Sequence, residues 1–426
     1  TDSNPGNNSA TDSGVTVTGF NLIVDRTDDD NSAAAQVCSA AANDCSLRGA
    51  ISKANADTAN DYILTVPAGT YTLLLSGTDD TNDMGDLDIT DNLIINGAGS
   101  VSTIIDANTI DRVFEVRPNV LTEFNDVTIT QGNEGTGSGG GILVNSSSVA
   151  TVTNSRLMNN TAQSGGGIYA FGIGATAIVI NSSIQGNMAV SSGSGGGLGT
   201  NSGNLTIINS TITNNQATGG AGSGGGISQV GGVGEVRNST IFSNSATFGG
   251  AIDHSSTGQL TVLNSTLSGN SSTIATFHTN GSTSHIINTT IVSNTAGSEA
   301  VLAFGGSTII ITNTIVAQQI TGGDCTNTGS TLTSGGYNIE SGTSCGFANT
   351  GDQQSVTPVA LDIGPLQNNG GTTDTHALLS GGSAAVGQIP PGTNGCNTTI
   401  TEDQRGTARP QGANCDVGAF ELVGGS

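Results

Sequence analysis

The sequence predicts an all-β protein, a right-handed parallel β-helix with three short strands per coil and roughly ten or eleven coils. A phrase recurs about every 24 to 29 residues, and a glycine-rich phrase lies between its copies. The composition agrees with this fold. Because only 3% of residues are aromatic and 10% are charged, the chain suits thin stacked layers better than a large globular core or a disordered polymer.

The first repeated phrase is an asparagine, two small polar residues, an aliphatic residue, two further residues and a second asparagine. It reads NSRLMNNTA from Asn154 and NSSIQGNMA from Asn181, and NTIVA at Asn313 is a decayed copy. Its aliphatic residues are Leu157, Ile184, Ile212, Ile241, Leu267, Ile291 and Ile315, at spacings of 27, 28, 29, 26, 24 and 24. This period predicts one coil per copy, with the aliphatic side chains stacked inside and asparagine at corners that need left-handed backbone.

The second phrase is a run of glycines before an aliphatic residue. It ends at Ile142, Ile168, Leu198, Ile227 and Ile252, each 14 to 16 residues before the next aliphatic residue of the first phrase. Segments such as Leu205–Ile208 supply a further strand between the two phrases. The intervals leave room for short strands but not for a helix, which indicates a solenoid.

The net charge and the absence of a long apolar run in the sequence argue against several classes of partner. The formal net charge is −24 with nine Lys and Arg residues, so neither nucleic acid nor an anionic membrane surface is an expected partner. No run of 18 apolar residues predicts a membrane span. Because the chain starts at Thr1 and has no apolar leader, we expect a mature secreted protein, extracellular or on the cell surface.

The six cysteines fall into three close pairs without the spacing of a zinc site. We therefore predict three local disulfides, formed in an oxidising compartment, between Cys38 and Cys45, Cys325 and Cys345, and Cys396 and Cys415.

These features divide the chain into four regions. Residues 1–20 form an N-terminal extension, in which Val15, Thr16, Val17 and Thr18 alternate like a strand that could join another subunit's sheet. Residues 21–60 form an N-terminal cap that contains the first cysteine pair. Residues 61–345 form the β-helix, and residues 346–426 form a C-terminal cap, because an open solenoid end must be covered.

Three stretches resemble known bacterial surface proteins. CSLRGAISKANA, from Cys45, resembles the N-terminal domain named for its Cys-Ser-Leu-Arg-Glu-Ala motif, although Gly49 replaces the glutamate. The two repeated phrases resemble the repeats of polymorphic outer-membrane proteins. DQRGTARPQGANCDVGAFE, from Asp403, resembles the choice-of-anchor β-helix proteins. These resemblances imply a bacterial extracellular β-helix whose biochemical role is mostly unknown.

Charged residues are too sparse along the repeats to suggest catalysis. From Gly139 to Val316 the charged residues are Arg156, Glu235, Arg237, Asp253 and Glu299. Polysaccharide lyases and hydrolases need clustered carboxylates, so we predict that the protein is not an enzyme and that the dipeptide Asp253-His254 is solvated. One acidic run has ligands suited to calcium, namely Asp79, Asp80, Asp83, Asp86 and Asp88; no other cofactor is expected.

The leading functional interpretation is an extracellular structural or adhesive protein, a surface rod or fibre subunit that assembles head to tail. Its expected partners are other copies of itself or a surface or carbohydrate ligand. Two alternatives remain open: a carbohydrate-active β-helix enzyme (a polysaccharide lyase or glycoside hydrolase), and a threonine-rich face that binds ice or polysaccharide. Paired threonines such as Thr128 and Thr130, or Thr211 and Thr213, motivate the last alternative.

Overall fold

The predicted parallel β-helix is confirmed by the computed structural model, which describes residues 19–78 and 80–424. It contains about ten turns, as the repeats indicate, with disulfides in its N-terminal and C-terminal regions. The predicted assembly segment, Val15 to Thr18, and the predicted calcium ligand Asp79 lie outside the described residues. In the described ranges, no helix is long and apolar enough to cross a membrane.

Sheet 1 contains 12 parallel strands stacked along the axis. In spatial order they are Phe20–Ile23, Tyr62–Val66, Leu93–Gly97, Leu121–Asn125, Val149–Thr153, Thr176–Ile180, Asn204–Ile208, Val233–Arg237, Gln259–Leu263, Thr283–Ile287, Thr308–Thr312 and Thr331–Gly336.

Sheet 2 contains 15 strands in two joined rows. The main row is Leu87–Ile89, Phe114–Val116, Ile142–Val144, Ile168–Phe171, Leu198–Asn201, Ile227–Val230, Ile252–Ser255, Ala275–Asn280, Thr295–Phe304 and Thr321–Thr328. The short row is Thr161–Ala162, Met188–Ala189, Gln216–Ala217, Ser245–Ala246 and Ser271–Ser272, and it meets the main row at Thr295–Phe304.

Sheet 3 contains 11 strands and completes each coil. They are Gly69–Thr72, Thr103–Asp106, Thr128–Thr130, Arg156–Met158, Ser183–Gln185, Thr211–Thr213, Thr240–Phe242, Thr266–Ser268, Thr290–Val292, Ile315–Ala317 and Ile339–Glu340. Outside the solenoid lie the helices Leu47–Ala56 and Pro358–Leu361 and an antiparallel pair, Ile363–Gln367 with Thr375–Leu378.

The core is an aliphatic ladder with one rung per coil. Ile212, Ile241 and Leu267 lie in register on successive strands of sheet 3, and all three are fully buried. The decayed copy is shifted by one residue, since Val316 and not Ile315 takes the inward place beside Ile291. Ile315 instead faces outward and is buried under the C-terminal region, which accounts for its aliphatic character.

The two asparagines of the repeated phrase have different structural roles. The first has a positive φ in every copy and turns the corner from sheet 1 to sheet 3; these residues are Asn154, Asn181, Asn209, Asn238, Asn264, Asn288 and Asn313. The second is buried and forms an axial ladder. For example, Nδ2 of Asn215 donates to Oδ1 of Asn244 at 2.9 Å, and also to the carbonyl oxygen of Ile184 in the preceding coil at 2.9 Å. The ladder satisfies buried polar groups between coils.

The glycine phrase permits close stacking of coils beside sheet 2. Gly165 has a φ of +63°, in the left-handed region that favours glycine. A Cβ on Gly167 would lie 2.5 Å from the carbonyl oxygen of Gly197 in the next coil. Side chains are thus excluded at these corners by the neighbouring backbone.

The N-terminal end of the solenoid is covered by the helix Leu47–Ala56. Ser46 caps this helix by accepting a hydrogen bond from the backbone N–H of Gly49. Arg48 is buried and pairs with Asp29 at 2.6 Å, while it donates to the carbonyl oxygen of Gly85 at 2.8 Å. Asp29 therefore helps to anchor this end of the solenoid.

The C-terminal region extends along the flank of sheet 3 as well as near the distal end. Gln404 accepts a hydrogen bond from Thr266 at 2.6 Å and donates to Thr240 at 2.8 Å, so it bridges two coils. Buried ion pairs, such as Arg409 with Glu421 at 3.2 Å, hold the region together. Arg409 and Glu421 therefore have a structural role.

All six cysteines form disulfides, and none is free. The bonds join Cys38 to Cys45, Cys325 to Cys345, and Cys396 to Cys415. The first lies in the N-terminal region, the second closes the last coil, and the third lies in the C-terminal region.

Candidate functional site

The candidate site lies on the outer face of sheet 2. Parallel pairing places one outward residue per coil in a single column, which we call the outer column. It consists of Asp88, Glu115, Leu143, Tyr169, Gly199, Ser228, Asp253, His278, Leu302 and Thr326. Two groups of ionisable side chains lie on this column, several coils apart.

The first group is an acidic cluster near the N-terminal end, made of Asp80, Asp88 and Glu115. The carboxylate oxygens of the three residues lie within 4.8 Å of one another. Arg117 pairs with Glu115 at 2.7 Å and with Asp80 at 3.1 Å. Arg112 binds the other carboxylate oxygen of Glu115 at 2.6 Å. Two arginines therefore hold Glu115 between them.

A polar cleft of about 370 Å³ opens beside this cluster, and its walls include Asp80, Asp86, Asp111, Glu115 and Glu134. Burial, reinforced by repulsion from nearby carboxylates and only partly offset by Arg112, raises the pKa of Asp86 to about 8. Burial also raises the pKa of Asp111. The carboxylates outnumber the arginines, which makes the cleft attractive to a cation or a proton.

The predicted calcium ligands are only partly brought together. Asp80 and Asp88 share the acidic cluster, whereas Asp86 faces Arg112 at 3.3 Å. Asp83 accepts a hydrogen bond from Asn31 at 2.9 Å, on the side of the N-terminal cap. Glu115 was missed because the acidic run was considered only locally. The oxygen donor set suits a hard cation, so calcium binding stays a prediction.

The second group is a buried histidine–aspartate pair. His278 Nδ1 lies 2.6 Å from a carboxylate oxygen of Asp253, the residue beside it on the neighbouring strand. The rings of Phe248 and Phe304 lie 5.5 and 6.4 Å from the His278 ring. The expectation of a solvated Asp253-His254 dipeptide is wrong, because both residues are buried. Their side chains point to opposite faces of the strand.

His254 instead lies inside the solenoid. It is fully buried, and its Nδ1 lies 2.8 Å from the hydroxyl oxygen of Ser284. Its Nε2 has no hydrogen-bond partner among the described residues. Burial lowers the pKa of His254 to about 4, since charging the ring there is costly. This histidine is a neutral core residue.

Comparisons with known proteins identify no family for this chain. No family model matches the chain, and no curated protein matches it. The crystal structure of pectate lyase Pel9A is similar, with a TM-score of 0.46 and 13% identity over 95% of this chain and 98% of that one. The finer resemblances of the terminal motifs and the repeats are not shown by these comparisons.

The prediction that the protein is not an enzyme is wrong as it was drawn. Stacking of the coils brings ionisable side chains together, so the sparse charge within each repeat gives no ground for excluding catalysis. Asp88 and Glu115 are 27 residues apart, one coil, and Asp253 and His278 are 25 apart. Comparison at the coil period would have revealed both groups.

Proposed function

We propose that the protein is an extracellular structural or adhesive β-helix of a bacterial surface, whose copies join end to end through sheet 1. Three disulfides support an oxidising, extracellular location. The observation that carries the proposal is that no strand among the described residues pairs with the outer edge of the first or the last strand of sheet 1. Open parallel edges are templates for further strands.

At the N-terminal end the open strand is Phe20–Ile23. No described strand pairs with its outer edge. The backbone N–H groups of Phe20 and Val24 donate toward the second strand, to Asp61 and Thr65. Backbone N–H groups alternate in direction along a parallel strand. The N–H groups at 21 and 23 therefore point to the open edge. The side chain of Ile23 is 55% exposed there.

At the distal end the last strand is Thr331–Gly336. The N–H of Thr331 donates to the carbonyl oxygen of Ser307, which immediately precedes the neighbouring strand Thr308–Thr312, so the N–H groups at 332 and 334 point away from the solenoid. Asn349 donates to the carbonyl oxygen of Ser334 at 2.5 Å and covers part of this edge. No described strand pairs there.

The two edges are compatible in direction. Every strand of sheet 1 runs parallel, so a copy displaced along the axis would add its first strand to the last strand of its neighbour in the same sense. With 12 strands per copy, a strand spacing of about 4.8 Å gives an axial repeat of roughly 58 Å.

The test combines negative-stain electron microscopy with sedimentation. We expect the full chain to form filaments with this repeat, and Ile23→Pro to remain monomeric because it removes an N–H from the open edge. Ile23→Val keeps that N–H and is the matched control. Thermal melting of both variants checks that the solenoid is intact.

Two results would contradict the proposal: a full chain that stays monomeric at high concentration, or an Ile23→Pro variant that assembles as well as Ile23→Val. Deletion of residues 1–18 separates the predicted segment Val15 to Thr18 from the strand Phe20–Ile23. If the deletion alone abolishes assembly, the connecting strand lies in that segment.

The acidic cluster favours a second candidate function, a carbohydrate-active enzyme. It places carboxylates beside Arg112 and Arg117 on the outer face of a β-helix, where a long polysaccharide could lie. The test is sugar release from polygalacturonate and from neutral glycans, with and without calcium. Activity that Glu115→Gln abolishes, without a change in melting temperature, would support this candidate; no release from any polymer would reject it.

A further inference from the structure

A polar groove of about 470 Å³ runs along the corner between sheets 1 and 3 in the middle coils. Its lining includes Asn154, Arg156, Asn181, Ser183, Asn209 and Thr211. The groove follows two axial rows of side chains. One row consists of the corner asparagines, and the other consists of the first outward residues of the strands of sheet 3.

The same two rows continue into the later coils, where the C-terminal region covers them. Pairing places Thr211 in register with Thr240, and Thr240 with Thr266. Thr240 donates to the main-chain carbonyl oxygen of Asp374 at 2.6 Å. In the asparagine row, Asn264 donates to the carbonyl oxygen of Glu402 at 2.9 Å.

The exposure of the residues in these two rows shows where the C-terminal region stops covering them. Thr240 and Thr266 are fully buried, whereas Ser183 and Thr211 are partly exposed. The corner asparagines change in the same way, since Asn313 is buried and Asn154 is exposed. The open groove is thus the uncovered continuation of an interface that the chain already makes with itself, and Thr372 of the C-terminal region lies at its end.

We propose that the open groove binds an extended polypeptide segment that carries an acidic side chain. In the covered coils these rows bind main-chain carbonyl oxygens, including that of Asn394, which accepts from Asn313 at 3.2 Å. Hydroxyl and amide donors of the same kind remain available in the open coils. An extended backbone offers the matching acceptors at regular intervals.

Arg156 is the reason for proposing that the bound segment carries an acidic side chain. It occupies the row position between Thr128 and Ser183, and it is the one charged residue among those described as lining the groove. It forms no ion pair with another described residue. A carboxylate of the bound segment would supply a charge-assisted hydrogen bond to the guanidinium.

The probe is a synthetic peptide of residues 370–378, GGTTDTHAL, which includes the segment that Thr240 binds within the chain. Fluorescence anisotropy measures its affinity for the full-length protein. We expect Thr211→Trp to weaken binding about tenfold or more by filling the groove. Thr261→Trp is the matched control, since Thr261 is a partly exposed outward threonine on sheet 1.

A second peptide in which Asp374 is replaced by Asn tests the role of charge. We expect Arg156→Gln to weaken the aspartate peptide about three- to tenfold and to leave the asparagine peptide unchanged. Assembly through sheet 1 is measured separately for the Thr211 and Arg156 variants. Neither of these residues lies at an end of the solenoid, so we expect their substitution to leave assembly unchanged.

The inference is overturned if the peptide does not bind at roughly 1 mM, the range of weak specific contacts, or binds Thr211→Trp as well as the wild type. It is also overturned if a neutral oligosaccharide occupies the groove, with loss of binding in Thr211→Trp, while the peptide does not bind. Equal loss in Thr211→Trp and Thr261→Trp would place the peptide elsewhere.

Discussion

Acidification is expected to destabilise the solenoid through His254. The ring is fully buried, and burial lowers its pKa from an ordinary value of 6.5 to about 4. Between these two values the unfolded chain binds a proton that the folded chain does not bind. The free energy of unfolding therefore falls as the pH is lowered from about 6.5 to about 4 and changes little through this group at lower pH.

The magnitude follows from the difference between the two pKa values. A gap of roughly 2.5 pH units at 1.36 kcal/mol each corresponds to about 3 kcal/mol. Asp86 acts in the opposite direction, because its raised pKa lets the folded state bind a proton at higher pH than the unfolded chain. A comparison of wild type with a His254 variant isolates the histidine from such contributions.

His254→Gln is the appropriate perturbation. Gln229 occupies the equivalent inward position one coil earlier, so the interior accommodates a glutamine in this row. The assay is urea unfolding followed by circular dichroism between pH 7.5 and pH 4. Relative to wild type, we expect His254→Gln to lose about 3 kcal/mol less over this range.

Ser284→Ala provides the control. It removes the hydroxyl that lies 2.8 Å from His254 Nδ1 but leaves the ring in place. This variant should be less stable at every pH and should keep the wild-type pH dependence. If His254→Gln loses as much stability on acidification as the wild type, the buried ring is not the origin of the effect and the reasoning fails.

Four further outcomes are expected. Ile241→Asp should destabilise the solenoid by several kcal/mol, because the carboxylate would lie unpaired in the aliphatic ladder, whereas Ile241→Val should cost about 1 kcal/mol; melting checks both. Asn244→Leu should cost roughly 3 kcal/mol or more, since it leaves buried amide and carbonyl groups of adjacent coils unpaired. Gly49→Glu, which restores the residue of the resembling motif, should impair folding, because a Cβ there would lie 2.2 Å from the carbonyl oxygen of Ala35; yield and melting measure this. Calcium should raise the melting temperature, chelation should reverse this, and Asp88→Asn should weaken the response.

A specific result would contradict each of these four predictions. Unchanged melting of Ile241→Asp would mean that the ladder is misassigned. A fully stable Asn244→Leu would show that the asparagine ladder contributes little beyond packing. Normal folding of Gly49→Glu would mean that the segment at Ala35 moves easily. Absence of any calcium effect would leave the acidic cluster as an arginine-paired structural element.

The repeated phrases predicted the fold because a solenoid coil is a local unit. The alternation of inward aliphatic and outward polar residues can be seen in consecutive residues of the sequence. The spacing between copies of the phrase gives the coil length. The error at Ile315 has the same origin. A copy shortened to NTIVA offers two adjacent aliphatic residues, and only the register with Ile291 shows that Val316 faces inward.

The candidate site was less predictable, because its residues come from different coils. Asp253 was grouped with His254, its neighbour in sequence, although the strand directs the two side chains to opposite faces. Its actual partner is His278, one coil later. Similarly, Glu115 lies beside Asp88 of the preceding coil, and it forms an ion pair with Arg117, two residues further along the chain.

The sequence by itself determined the class of architecture, the period of the coils, the aliphatic core and the corner positions, since each depends on residues close together in the chain. Only the tertiary structure decided the register between coils and the path of the C-terminal region along sheet 3. Those features depend on which side chains meet across 25 or more residues, as when Gln404 bridges Thr240 and Thr266. Stacking of coils brings such residues together, and no local pattern encodes which coils the C-terminal region covers and which stay open.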